Sequence, residues 1–300
     1  MNVIDAYAQS VVNGAVPAGK YHRLSCARHL RDRAREGTPG FPYRFDLAKA
    51  ERFFRFAAQL KHYKGEWAGQ LIHLEPWEQF ITGSLFGWVH TGTGLRRFRT
   101  AFTQVPRKNG KTLIAAIVLI YLAFFDGEAG AEGYSVATKR DQAKLVFNDA
   151  KKLVQSSGLK DRIKVLVANM HRDDTSSKLE PLGADHDSTD GLNPNVVVVD
   201  EMHAMKDRGM LDVMETATGA RRQPVIYEIT TPTPDTAVTL TGGVLSDTVQ
   251  TGSDGTVSSE VLTLNPAKVR PDSTIIQVRA NRTHGEPVPG SGQRFIVRFQ

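Results

Sequence analysis

Four consecutive valines, Val196 to Val199, interrupt the polar rhythm of this chain. A run without alternation predicts a strand buried on both faces, as at the centre of a parallel sheet. From Phe98 to Phe125 the sequence opens as a short strand, crosses a polar turn ending Asn109-Gly110-Lys111-Thr112, and continues as a strongly apolar helix. Upstream, Leu47, Ala50, Phe53, Phe54, Ala57 and Leu60 recur at helical spacing behind Asp46, a capping residue type. Residues 71–89 read as a short strand and then a helix opened by Pro76, with Trp77, Phe80, Phe86 and Trp88 assigned to the core. Next come a strand ending at Ala137-Thr138, a helix to about Val154, an apolar strand over 163–168 and a hairpin within 171–185. A helix around 210–217 and a strand over 224–231 complete the series.

Strand and helix alternate through residues 70–231, which predicts an open, mostly parallel α/β sheet flanked by helices. Residues 1–69 form an N-terminal helical and basic segment, with the loop-like GTPGFPY inside it. Residues 232–300 are rich in Thr, Val, Ser and Gly and show short β-like alternations without a helix. They read as a β-rich tail, atypical or truncated.

Three hundred residues are ample for a large core. The single cysteine, Cys26, excludes an internal disulfide framework and a cysteine-rich zinc site, and suits a reducing compartment. The N-terminus has no charged stretch ahead of an apolar run, so no secretory signal is expected. The longest apolar run, Leu113 to Phe125, is too short to span a bilayer, and no membrane partner is expected.

Charge is uneven. Residues 1–110 carry 17 Lys and Arg against 8 Asp and Glu, whereas residues 111–230 carry 15 against 18. The basic excess concentrates in Arg28 to Arg35 and Leu95 to Thr100. A solvated helix face is the commoner outcome of such runs, and contact with nucleic acid or an acidic partner is the alternative. Charge does not choose between them.

Two stretches carry chemistry. In a strand–loop–helix, glycine lets backbone N–H groups approach phosphates, lysine reaches the β- and γ-phosphates, and the threonine hydroxyl ligates Mg²⁺. The helix N-terminus adds partial positive charge. Gly110, Lys111 and Thr112 supply that set, although the full pattern G-x-x-x-x-G-K-[ST] would need glycine where Val105 stands. About 90 residues on, the apolar strand ends in Asp200-Glu201. That places one carboxylate beside the metal and a second beside the γ-phosphate, where it would polarise the attacking water. An isolated V-V-D-E is more often a solvated strand end. The conjunction with G-K-T points to an ATPase.

Taken in order, these motifs resemble the ATPase domain of the large terminase subunit of tailed phages, within the group whose loop reads P-R-K-N-G-K-[ST], matched from Pro106 to Thr112. LEPWEQFITGSLFGW resembles the family's adenine-recognition stretch, with Glu78 in the usual glutamine slot and Gln79 following it. ATKRDQA (137–143), DGLNPNVVVVDEMHA (190–204) and GARRQPVIYEITT (219–231) match further family segments. The resemblance implies a P-loop NTPase fold of the RecA/ASCE type, with ATP and Mg²⁺ as cofactors. It makes Lys111 and Arg107 phosphate-binding and catalytic, Asn109 and Gly110 loop residues, and Gln79 the adenine contact. Thr112 and Asp200 hold the metal, Glu201 is the catalytic base, and Thr230 and Thr231 couple hydrolysis to motion. A ring motor also needs an arginine from a neighbouring subunit, for which Arg172 or Arg140 are candidates. The implied partners are double-stranded DNA, the portal of the procapsid, the small terminase subunit and further copies of the chain, in the host cytoplasm.

The tail departs from the family. A complete large terminase continues into a nuclease with clustered acidic metal ligands, yet after Thr231 only Asp235, Asp247, Asp254, Glu260, Asp272 and Glu286 occur, widely scattered. Nuclease activity is therefore not expected of this chain, and truncation, frameshift and fusion stay open as causes. Two other function classes also stay open. The D-E-M-H box, Asp200 to His203, occurs in superfamily 2 helicases, and a truncated terminase domain would serve as a non-catalytic nucleotide-binding assembly module.

Overall fold

Val196 to Val199 are fully buried, and successive valines serve two different cores. Val196 and Val198 join the larger cluster on one face of a sheet. Val197 and Val199 join a smaller cluster on the other. The period of two in side-chain direction thus explains why a strand covered on both faces has no polar position to spare.

The computed structural model describes residues 1–105, 108–137, 140–183, 191–201, 209–231, 274–276 and 297–299, with backbone alone for 140–142, 274–276 and 297–299. The described elements in chain order begin with α1 (Val3–Val12), α2 (Lys20–Ala34), β1 (Tyr43–Phe45), α3 (Leu47–Ala57), α4 (Pro76–Gly87) and β2 (Trp88–His90). They continue with β3 (Thr100–Gln104), α5 (Lys111–Phe124), β4 (Glu132–Ala137), α6 (Arg140–Ser156), β5 (Lys164–Val165), β6 (Met170–Arg172) and β7 (Ser177–Gly183). The series ends with β8 (Pro194–Asp200), α7 (Gly209–Ala217), β9 (Val225–Thr230), β10 (Thr274–Ile276) and β11 (Val297–Phe299).

The main sheet runs β10-β11-β3-β9-β8-β4-β7-β6-β5. From β3 through β7 every pairing is parallel. β5, β6, β10 and β11 add antiparallel edges. The α/β sheet expected from the alternation is present, and so is the hairpin within 171–185, formed by β6 and β7. Among the described residues, no helix is long and apolar enough to cross a membrane.

α5 is buried along almost its whole length from Ile114 to Phe124, between the sheet and the N-terminal helices. Where it passes β4 the approach is tight: a Cβ on Gly133 would stand 3.0 Å from Ala123 Cβ. On its outer side Phe53 stacks on Phe86 with ring centroids 4.5 Å apart, and Tyr121 meets both edge-on. Such pairs add about 0.5–1.5 kcal/mol beyond area burial. Phe80, Phe86 and Trp88 are core residues, as expected, and Trp77 packs against them. The caps are local: Asn2 Oδ1 accepts from the Ile4 and Asp5 N–H groups at 3.0 and 2.9 Å, and Asp46 Oδ1 from Lys49 N–H at 3.4 Å.

Several boundaries differ from expectation. The strand expected at the start of 71–89 is only an isolated bridge between Leu71 and Lys61, because Pro76 follows too soon for a ladder to build. The helix that follows stops at Gly87, leaving Trp88 to His90 free to pair with β1. The strand expected over 163–168 contracts to Lys164 and Val165, with Leu166, Val167 and Ala168 exposed at the turn into β6.

The basic runs are largely turned inward. Arg96 is buried against Asp126 at 2.6 Å, and Arg97 reaches buried Asp32 at 2.9 Å. Arg33 bonds to Glu36 at 2.5 Å and Asp5 at 3.3 Å, and Arg28 lies 4.8 Å from the Phe98 ring centre. Only Arg31, Arg35 and Arg99 of these runs are exposed. Much of the sequence's charge excess here fastens α2 to α1 and to the segment before β3 instead of facing a partner.

Candidate active site

The site forms at the carboxyl ends of β3, β8 and β9, the end of a parallel sheet where ligands bind in open α/β folds. β3 ends at Gln104, and the loop that follows turns into α5 through Gly110, which has φ +73° and caps the helix. Lys108, two residues earlier, is also left-handed at φ 69°. A residue with a side chain in that region costs on the order of 1–3 kcal/mol and persists where its surroundings enforce it. Of the three non-glycine residues with positive φ among those described, two belong to this site: Lys108 and Glu201, the latter at 54°. The third, Ser176, lies in the turn between β6 and β7. The loop arrives at the N-terminus of a 14-residue helix, whose free N–H groups and dipole favour an anion.

Lys111 is the first residue of α5, and its ammonium is buried. Its Nζ donates to Asp200 Oδ1 at 2.9 Å and to Glu201 Oε1. Asp200 is 3 % exposed, and its Oδ1 also accepts the Glu201 N–H at 2.9 Å. Burial holds the Asp200 carboxyl above the usual aspartate range, although Lys111 pulls the other way. Glu201 is half-buried, and its other oxygen, Oε2, accepts from Thr231 Oγ1 at 3.2 Å. Residues from β8, from α5 and from the residue after β9 thus meet at one point.

Thr112 follows Lys111 on the same helical turn and is half-buried. Thr230 ends β9 beside Gln104, and its carbonyl accepts from Val105 N–H at 3.0 Å, tying the loop's entry to β9. Asn109 is half-buried in the loop. Arg107 lies outside the described residues, as do His203 and all six acidic residues of the tail. Gln79 turns its amide back onto Leu74 O at 2.7 Å. Its neighbour Glu78 is the one against the loop, with Oε1 3.4 Å from where a Cβ of Gly110 would stand. The signal for Glu78 was the spacing Glu75-x-x-Glu78 around Pro76, a capping-box pattern that fixes where the side chain goes.

Arg172 is committed elsewhere. Its guanidinium forks onto Asp174 at 2.7 and 2.6 Å and donates to Phe124 O at 2.7 Å, closing the C-terminal end of α5. The side chain of Arg140 lies outside the described residues. Among the described residues no group of three His, Cys, Asp or Glu is placed to hold a metal. Asp200, held against Lys111 at a helix N-terminus, and Thr112, the next residue of that helix, offer the hard oxygens that Mg²⁺ takes alongside phosphate oxygens.

A parallel sheet with a glycine-turned loop entering a buried helix, opposite a strand-end carboxylate pair, defines a nucleoside triphosphatase fold of the P-loop type. Residues 76–241, more than half of the chain, match the family model for the terminase large subunit, ATPase domain. The chain belongs to that family. It is similar to the large terminase subunit of Enterobacteria phage HK97, with 29% identity over 180 residues, 56% of this chain and 33% of that protein. The crystal structure of the HK97 bacteriophage large terminase shares the fold at a TM-score of 0.53 with 23% identity, covering 62% of this chain and 38% of that one. The chain thus spans about a third of the length of the curated relative it matches.

Proposed function

We propose that this chain is the ATP-hydrolysing part of a phage DNA-packaging motor, coupling turnover to movement of double-stranded DNA into a procapsid. The observation that carries the reading is Lys111 of the G-K-T turn held against both Asp200 and Glu201, with Thr231 on Glu201. Lys111 and the α5 N-terminus hold the phosphates, and Thr112 and Asp200 hold Mg²⁺, which when bound neutralises charge on the transferring phosphoryl group. Glu201 orients the attacking water and accepts its proton. Its left-handed backbone aims the carboxylate across the end of β8, and the Thr231 hydroxyl fixes the orientation. Gly110, Asn109 and Arg107 complete the cradle, and Gln79 is kept as the adenine contact suggested by family resemblance. Thr230 and Thr231 link the base to the end of β9, a route by which hydrolysis moves the chain beyond it. Portal, small subunit and a ring of copies are the partners this role requires.

The helicase reading finds no support in the family match. The test is ATP hydrolysis by the purified chain with Mg²⁺, with and without duplex DNA, alongside Lys111→Ala. Hydrolysis that vanishes in the variant supports the assignment. Equal rates in both would remove this site from the reaction.

A further inference from the structure

Glu78 is a carboxyl in a place where nothing in the proposed chemistry asks for one. It is 9 % exposed, in the first turn of α4. Its two oxygens face different ways. Oε2 accepts the Glu75 N–H at 2.8 Å, completing the helix cap. Oε1 points toward the phosphate loop: a Cβ built on Gly110, the residue that turns the chain into α5, would stand 3.4 Å from it. An acid wedged behind a phosphate-binding turn is electrostatically awkward, because polyphosphate and carboxylate are both anions and the medium between them is protein.

We propose that Glu78 is a positioning residue of the phosphate loop that takes up a proton when the loop accepts the phosphates of a nucleotide. The inference rests on the nucleotide-binding reading of this site. In the neutral form the carboxyl keeps its cap bond and supports Gly110 without repelling the ligand. Ionised, it opposes each phosphate charge brought to the far side of the loop, and buried charges are screened little by salt. By linkage, whatever raises the proton affinity of Glu78 on binding makes binding proton-dependent.

The surroundings permit this. From its own helix the charged neighbour is Glu75, whose carboxylate adds to the upward push on Glu78. From β9 the facing group is the Tyr227 phenol, itself raised by burial and by Glu78. On the loop side stand Gly110 and then Lys111, whose ammonium is turned to Asp200 and Glu201. Burial already lifts Glu78 to about 7, so the proton exchanges near neutral pH.

The experiment is calorimetric titration of the full chain with Mg²⁺ and a non-hydrolysable ATP analogue between pH 6 and 8.5. Two buffers of different ionisation heat are used, for the wild type and Glu78→Gln. The amide retains an acceptor for Glu75 N–H and cannot ionise. One linked proton predicts a wild-type affinity that falls, relative to the variant, by up to about tenfold per pH unit above 7. At about pH 8 and above the wild type should also take up close to one proton more than the variant, and near pH 6, where Glu78 is already neutral, almost none. Equal slopes and equal proton counts, with binding intact, overturn the inference and leave the nucleotide site standing. Absence of binding by the wild type at every pH overturns both. If Glu78→Gln fails to fold, the wild-type proton count decides. Uptake no greater than the analogue's own titration supplies, measured against a non-protein Mg²⁺ reference, also overturns the inference.

Discussion

Lys111 Nζ stands 2.9 Å from Asp200 Oδ1 in a pair that is almost wholly buried. A buried ion pair seldom adds much net stability, but removing one partner strands the other. Lys111→Ala is therefore expected to do two things. It abolishes ATP turnover, because no solvent group replaces a point charge at the β- and γ-phosphates. It also leaves Asp200 without its main counter-charge, so a carboxyl already raised by burial rises further. A folded-state pKa above the unfolded value means stability that is present at low pH and lost as pH rises through the folded pKa. Thermal unfolding of Lys111→Ala at pH 5 and pH 8 checks this, with the larger deficit against wild type expected at pH 8.

Glu201 and Thr231 separate base from orienter. Glu201→Gln keeps the shape and the Thr231 bond but cannot accept a proton, so nucleotide binding survives and turnover falls by roughly 10²–10⁴-fold. Thr231→Val removes only the 3.2 Å bond to Glu201 Oε2. Its kcat should fall by about tenfold, the worth of one ordinary hydrogen bond of ~1 kcal/mol or slightly more, with KM nearly unchanged. Steady-state kinetics on both variants is the check, and a Thr231→Val change confined to KM would contradict the orienting role.

The sheet was legible because its signals are local. Four valines without alternation need two apolar faces, and Gly110-Lys111-Thr112 before an apolar run needs a strand to deliver it. The strand-end pair Asp200-Glu201 could be assigned to the same site from those contexts, and the structure brings it to Lys111. What the sequence could not show was where charge is spent. Arg28, Arg33, Arg96 and Arg97 read as a basic face, but the partners that turn them inward, Phe98, Asp5, Asp126 and Asp32, lie 28 to 70 positions away. Glu78 escaped for a related reason. A capping box is visible locally, yet the approach of its other oxygen to the Gly110 turn exists only once α4 packs beside the loop.

Arg96 offers a direct test of that inward charge. It pairs with Asp126 at 2.6 Å, both side chains are under a tenth exposed, and it also donates to Gln223 O. Arg96→Ala strands Asp126, and breaking a buried pair from one side costs about 3–5 kcal/mol. Arg35→Ala, at an exposed arginine over Phe41, should cost under about 1 kcal/mol. Urea unfolding of the two variants gives the comparison, and equal losses would mean the basic runs are not distinguished by burial.

The 300-residue chain is expected not to cut DNA. Two-metal nuclease sites hold their ions about 4 Å apart with carboxylates from adjacent strands. The acidic residues after Thr231 are Asp235, Asp247, Asp254, Glu260, Asp272 and Glu286, at intervals that repeat no strand-end pattern. A plasmid-nicking assay with Mg²⁺ or Mn²⁺ tests this, and cleavage that Asp254→Ala abolishes would overturn it.

Glu78 also leaves a mark on the protein without any nucleotide. Its carboxyl titrates near 7 in the fold against 4.5 for the unconstrained side chain, the difference arising chiefly from burial. The folded state therefore holds a proton that the unfolded chain has released over that interval. Stability contributed by the neutral carboxyl is complete below pH 4.5, declines as pH rises, and is gone above about 7. Two to three pKa units at 1.36 kcal/mol each amount to about 3 kcal/mol across the window. Glu78→Gln never ionises, so its unfolding free energy should lack this component. The variant is then expected to match or fall slightly below wild type near pH 5 and to exceed it near pH 8. Denaturant unfolding at those two pH values decides the matter. A wild-type minus variant difference that stays constant from pH 5 to pH 8 would show that Glu78 is ionised throughout, or that Gly110 and α4 yield to let water reach it.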